Sequence, residues 1–193
     1  MPKVVDPTMQ REEIREAARR VFAERGVRGT GLAHVAEAAG MGRSSLYHYY
    51  ADKNALLADM VSEMLEQEQQ LFHACLSAQG TPIERLETLA HACASLFPQW
   101  AAFGRLFMDL RLEDARELGG FFRAIRADLA QVIEQGQADG SMAATPSAEV
   151  QASVLIGAID GLLLQFFIDE HALPSAEALA RDLVEMMNRM VAS

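Results

Sequence analysis

Between positions 43 and 53 the chain carries Arg43, Ser44, Ser45, Tyr47, His48, Tyr49 and Lys53, a run of cationic, hydroxyl and aromatic groups suited to nucleic acid. A guanidinium can pair bidentately with a guanine edge, hydroxyls can serve phosphates or base edges, and Tyr and His tips can donate to phosphate while their rings pack on sugar. All three tyrosines, Tyr47, Tyr49 and Tyr50, fall beside His48, a confinement that packing alone does not demand. Leu46, in their midst, is expected to face the core. Lys53 stands in the first turn of the following helix, where a cation opposes the macrodipole. A bound anion would repair that, so Lys53 with the orphan amides of that helix reads as a phosphate clamp; an exposed lysine with a small penalty is the other reading.

The elements that position these groups are helical. Apolar residues recur at threes and fours nearly everywhere, with no sustained alternation, which predicts an all-α fold of about nine helices. The first carries Ile14, Ala17, Ala18, Val21 and Phe22, begins near Asp6-Pro7-Thr8 and stops at Gly26. Thr30 is expected to cap a short second helix with Leu32, Val35 and Ala36, which Gly40 breaks. Gly42 caps a short third helix from Arg43, and Asp52 caps a long fourth with Leu56, Leu57, Met60, Met64, Leu65, Leu71, Phe72 and Cys75. Two short helices joined by a Gly-containing turn, the second bearing the polar set, meet the physical requirements of a helix-turn-helix reader of the major groove.

Beyond Gly80, Thr81, Pro82 and Glu84 form a capping box for a fifth helix, which Pro98 should kink or end. A sixth follows through Trp100, Phe103, Phe107 and Leu110. The seventh spans about Glu113 to Ala138 and bends or begins at Gly119-Gly120. Asp139-Gly140 is a turn, Thr145-Pro146 starts the eighth helix, and Pro174 starts the ninth with Leu179, Leu183, Met186, Met187 and Met190 on one side. The eighth is apolar almost all round, which asks for partners on two faces. Interrupted by Ser153, Gly157, Asp160, Gly161 and Gln165, it reads as a buried helix rather than a membrane span. Gly157 and Gly161 permit close approach, and Asp160 is an acceptor at a dimer edge or in a pocket. Phe72, Trp100, Phe103, Phe107, Phe121, Phe122 and Phe166 would line a pocket for an apolar or aromatic ligand, with His73, His91 or Gln165 orienting it. The same spacing is what a packed core shows.

The net charge of −10 excludes a surface basic throughout, leaving a local basic face. Nine lysines and arginines face seven acids in residues 1–53, against eight facing twenty in 54–193, as in a DNA-facing lobe joined to a sensing lobe; a mere scatter of surface charge gives the same kind of difference. Cys75 and Cys93 have no CxxC or His-spaced partner and read as buried thiols of a reducing compartment, so no metal or other cofactor is expected. The N-terminus lacks the apolar run of a secretory signal, which predicts a cytoplasmic protein with no membrane association. No GxSxG, HExxH, Walker loop or complete GxGxxG occurs, and no catalytic residues are expected.

From about Thr8 to Met60 the chain resembles the DNA-binding domain of the TetR family of transcriptional regulators. The matching residues are Ala17-Ala18, Phe22, Gly26, Thr30, Val35-Ala36, Ala39-Gly40-Met41, Ser45-Leu46-Tyr47, Tyr49-Tyr50, Lys53 and Leu56-Leu57. The resemblance implies a nine-helix homodimer. Residues 1–53, continuing into the fourth helix, would bind double-stranded operator DNA, and residues 54–193 would bind a small-molecule effector and dimerise. It makes Arg43, Ser44, Ser45, Tyr47, His48 and Tyr49 groove and phosphate contacts, with Thr30 and Lys53 on the backbone. The eighth and ninth helices would form the dimer interface, around Gly157, Gly161, Leu164, Leu183 and Met187. Two positions depart from the pattern: Gly42 replaces the common Ser cap, and Ala33 stands where some members place a base-reading cation. Groove contacts do not separate repressor from activator; repressor is the family's usual role. The alternative is a helical ligand-binding dimer without sequence-specific DNA binding.

Overall fold

A computed structural model describes residues 7–109 and 115–169, together with Ser175, Ala178, Arg181, Asp182, Val184 and Glu185. Its elements are all helices: α1 Pro7–Arg25, α2 Leu32–Ala38, α3 Arg43–Tyr47, α4 Lys53–Leu76, α5 Pro82–Asp109, α6 Ala115–Asp139 and α7 Ala148–Ile168. The chain divides into two compact units, Met1–Glu63 with Arg105–Arg111, and Met64–Gly104 with Leu112–Ser193. Helix α4 begins in the first and ends in the second.

In the first unit the expected apolar faces close on one another. Ile14, Ala17 and Ala18 of α1, Val35 and Ala36 of α2, Leu46 of α3 and Leu56 of α4 are all wholly buried. Gly26, at φ 72°, ends α1 in the left-handed region that favours glycine. Gly40, at φ 66°, does the same for α2: its N–H donates to Glu37 O at 3.1 Å and the next N–H, of Met41, reaches back to Ala36 O at 2.9 Å. Those two bonds satisfy carbonyls that the helix end would orphan, and they set the turn into α3. The α4 cap is as expected, with Ala55 N–H donating to Asp52 Oδ1 at 2.8 Å. The α2 cap is not: Gly31 occupies that position, its N–H donating to His34 Nδ1 at 3.2 Å. Thr30 instead donates its hydroxyl to Gly26 O at 2.7 Å.

In the second unit the capping box of α5 forms, Thr81 N–H donating to Glu84 Oε2 at 2.7 Å and Glu84 N–H to Thr81 Oγ1 at 3.3 Å. The helix does not end at Pro98, and the expected fifth and sixth helices are one 28-residue element. A proline inside a helix costs about 3 kcal/mol in lost bonding and ring clash. Burial of Leu86, Leu89, Ala90, Cys93 and Ala94 before it and Trp100 after it offsets that cost. Helix α6 begins just ahead of Gly119-Gly120. The expected ninth helix falls largely outside the described residues.

Helix α7 is 21 residues long, and by length and composition alone it could cross a bilayer despite its polar and glycine interruptions. It is also not buried throughout: Ala148, Gln151, Ala152 and Leu155 face the core, while Val150, Val154, Leu164 and Ile168 are exposed. Gln151 fixes its start, donating Nε2 to Ala143 O at 3.1 Å and to Pro146 O at 3.0 Å.

Candidate nucleic-acid interface and effector lobe

Helix α3 separates its residues sharply. Leu46 is wholly buried, whereas Arg43, Ser44, Ser45, Tyr47 and His48 are exposed, Tyr47 at 56%. A five-residue helix held by one buried leucine thus presents a guanidinium, two hydroxyls and a phenol on its outer side, with the imidazole of His48 at its C-cap. Tyr49 is half-buried. Tyr50 departs from its neighbours: it is 2% exposed, with its hydroxyl donating to Asp59 and Arg11 lying 5.0 Å above its ring. Burial, with Asp59 beside it, pushes its phenol up to about 12. One of the three clustered tyrosines therefore serves the unit's own packing.

Lys53 is neither a free surface cation nor a group awaiting only an anion. Its Nζ donates to Val27 O at 2.9 Å, tying the start of α4 to the loop after α1. That carbonyl relieves part of the conflict with the helix dipole, and an ammonium has three donors, so two are left for a phosphate. Thr30 is 3% exposed with its hydroxyl committed to Gly26, which gives it a loop-holding role and almost no surface for a phosphate contact.

A second tie between α4 and α1 was not foreseen. Arg15 donates to Asp59 Oδ2 at 3.0 Å, to Glu63 Oε2 at 2.9 Å and to Glu12 Oε2 at 2.7 Å. Arg19 joins Glu63 at 2.6 Å and Glu16 at 2.9 Å. The Arg15 hydrogen bond holds the Glu12 carboxyl down at about 2. These arginines supply part of the first unit's positive count, yet they are consumed internally, so the outward cationic face narrows to residues such as Arg43.

Of the expected pocket residues, the second unit brings together Phe72, Trp100, Phe121 and Phe122. Phe72 meets Trp100 edge-on at 6.3 Å and Phe121 at 6.4 Å, and Phe121 meets Phe122 at 5.6 Å. The side chains of Phe103, Phe107 and Phe166 lie outside the described residues, as do Leu183 and Met187. His91 is exposed, His73 is exposed and bonded to Asp128 at 2.9 Å, and exposed Gln165 donates to Gly161 O, so none of the three is turned into the cluster. The polar group that does join it is Glu68, 7% exposed and accepting the Trp100 indole N–H. Burial pushes its carboxyl up to about 7. Its position was legible in retrospect: Val61, Met64, Glu68, Phe72 and Cys75 form one helical stripe in which Glu68 is the lone acid.

On α7, Gly157 is exposed and Gly161 half-buried, and a Cβ at either would meet nothing within 4 Å. With the exposed apolar residues they form the stripe 150, 154, 157, 161, 164, 168, whose alternating steps of four and three are the heptad pattern of a helix seeking a second helix. Asp160 lies beside it, exposed.

Residues 14–60 match the family model described as bacterial regulatory proteins of the tetR family, and residues 82–189 match that of the BetI-type transcriptional repressor C-terminal domain. The HTH-type transcriptional regulator BetI of Brucella anthropi is 27% identical over 191 residues, 93% of each chain. The HTH-type transcriptional repressor KstR2 of Mycobacterium tuberculosis is 32% identical over 80 residues, 42% of this chain and 40% of that one. The fold matches a TetR/AcrR family regulator from Thermobifida fusca with TM-score 0.81 at 23% identity, covering 92% of this chain and 96% of the other. The relatives are transcriptional regulators, and proteins of this kind bind operator DNA and small effectors and act as dimers. With a helix-turn-helix whose outer face carries the polar set, and with more than half its length matched by a repressor model, the chain belongs to the TetR family and is a ligand-responsive, DNA-binding transcriptional repressor.

Proposed function

We propose that Arg43, Ser44, Ser45, Tyr47, His48 and Tyr49 make the groove and phosphate contacts of a palindromic operator, with Lys53 on the backbone. On this reading a small, apolar or aromatic effector at the Phe72, Trp100, Phe121 and Phe122 cluster releases the DNA. The observation that carries this is the partition of α3 around Leu46, which leaves the groove-reading chemistry outward on a short helix that starts at Gly42. Residues 1–53 with the start of α4 are the DNA-binding part and residues 54–193 the effector-binding and dimerising part of a cytoplasmic, non-enzymatic homodimer. Its interface combines the α7 stripe with the following helix.

The route of release is α4. Its first turns are fastened to α1 and the loop after it through Lys53, Asp59 and Glu63, and its later turns carry Glu68 and Phe72. An effector that moves those later turns changes the spacing of two recognition helices across a dimer. This requires it to bind the DNA-bound and free states with unequal affinity.

The test is binding to DNA from just upstream of the coding region against scrambled DNA at two salt concentrations. Preference for the upstream fragment should persist at the higher salt, since phosphate contacts alone weaken steeply. Tyr47→Ala and Lys53→Ala should each weaken binding about tenfold at unchanged dimer mass, and Lys53→Ala should flatten the salt dependence. Binding indifferent to both substitutions would refute this assignment of contacts.

A further inference from the structure

On α6, Phe122, Arg126, Leu129 and Ile133 recur at helical spacing on one face, and Leu129 and Ile133 are 2% and 0% exposed. Arg126 thus occupies a place in a core-facing stripe. Its Nε is shielded from solvent and has no hydrogen-bond partner, and no acid pairs with its guanidinium among the described residues. Acids are not scarce, since twenty stand in residues 54–193, and nearby Asp128 is engaged by His73. By contrast Arg11, Arg15, Arg19 and Arg85 all have partners. A guanidinium cannot shed its charge, so a desolvated N–H on it is costly until an acceptor meets it.

We propose that Arg126 is the anion-binding residue of the effector site, and that the effector is an amphipathic organic anion, a carboxylate on an apolar body. This rests on the reading of the second unit as the effector-binding part. The Nε edge of a guanidinium can form two parallel bonds with a carboxylate, and here Nε is the shielded, unpartnered atom. The neighbouring turn supplies Phe122, which continues through Phe121 to Phe72 and Trp100, an aromatic run suited to the ligand's apolar part. Glu68, the acid of that cluster, is driven towards its neutral form by burial and so opposes an incoming anion weakly.

Trp100 is the sole tryptophan and lies in the cluster, so its fluorescence reports occupancy in the full-length protein. The probes are phenylacetate and decanoate, each against its neutral amide. Wild type should bind at least one acid about tenfold or more tighter than its amide, a preference that Arg126→Met abolishes while leaving amide affinity unchanged. Arg123→Met, one turn away at an exposed position, should retain it. Equal affinity of acid and amide, or a preference surviving Arg126→Met, overturns the assignment while any amide binding preserves the effector site. Failure of all four probes overturns both. Thermal unfolding supplies the second readout: Arg126→Met should melt at or above the wild-type temperature, and a large drop in both Arg126→Met and Arg126→Lys would make the residue a structural prop.

Discussion

Glu68 stands on a helical stripe that the apolar spacing reserves for a hydrophobic side chain, and its environment sets how it titrates. Its carboxyl rises from an ordinary 4.5 to about 7 through burial, opposed only by the indole hydrogen bond. The folded state therefore binds more protons than the unfolded one across that interval. The stability this contributes is fully present below about 4.5 and lost as pH rises through about 7. Glu68→Gln keeps an acceptor for Trp100 and removes the charge. Between pH 5 and pH 8 it should gain about 1–3 kcal/mol relative to wild type, read by urea unfolding. A difference between the two proteins that is flat with pH would refute the assignment. At this scale the sequence was legible where one rule acts alone, as at Leu46, Gly26 and Gly42. It misled at Thr30, whose hydroxyl donates to Gly26 O instead of capping α2, because a hydroxyl's choice between solvent, DNA and backbone depends on how the surrounding loop folds.

Between elements, the first unit is held by apolar contact and by a charged seam from α1 to α4, centred on Arg15. Its side chain is 13% exposed and meets Glu12, Asp59 and Glu63, so its removal leaves three acids facing one another with only Arg11 and Arg19 to balance them. Arg15→Met should cost about 2 kcal/mol or more in urea unfolding, because partly desolvated acids lose a charge-assisted donor. Arg20→Met, which removes an exposed pair to Glu16 at 3.6 Å, should change stability by no more than about 0.5 kcal/mol. Equal effects would show that the seam is no more than surface charge. Caps and glycines made most helix boundaries readable, since they act through bonds only a few residues long. The continuity of α5 through Pro98 was not readable, because packing on both sides of the proline decides it. Nor was the seam, since Glu, Asp and Arg on alternating turns read equally well as solvated faces.

For the molecule as a whole, the described chain leaves α7 only half used. Val154 and Leu164 are 47% and 53% exposed on a stripe of heptad spacing, and the two glycines between them have open space above their backbones. A second copy of the chain could bring its own α7 onto that stripe, burying four large apolar side chains per subunit at about 25 cal/mol per Å². Val154→Glu combined with Leu164→Glu places like charges at the seam without touching the buried face of α7. The pair should shift the protein to monomer in sedimentation while each chain stays helical. A monomer reaches one half-site at a time and forfeits the effective concentration that links the two recognition helices. Affinity for a palindromic operator should therefore fall by about a hundredfold or more, whereas binding to an isolated half-site stays unchanged. Were the stripe a bilayer face instead, the double variant would leave dimer mass and operator affinity intact and would abolish binding to lipid vesicles.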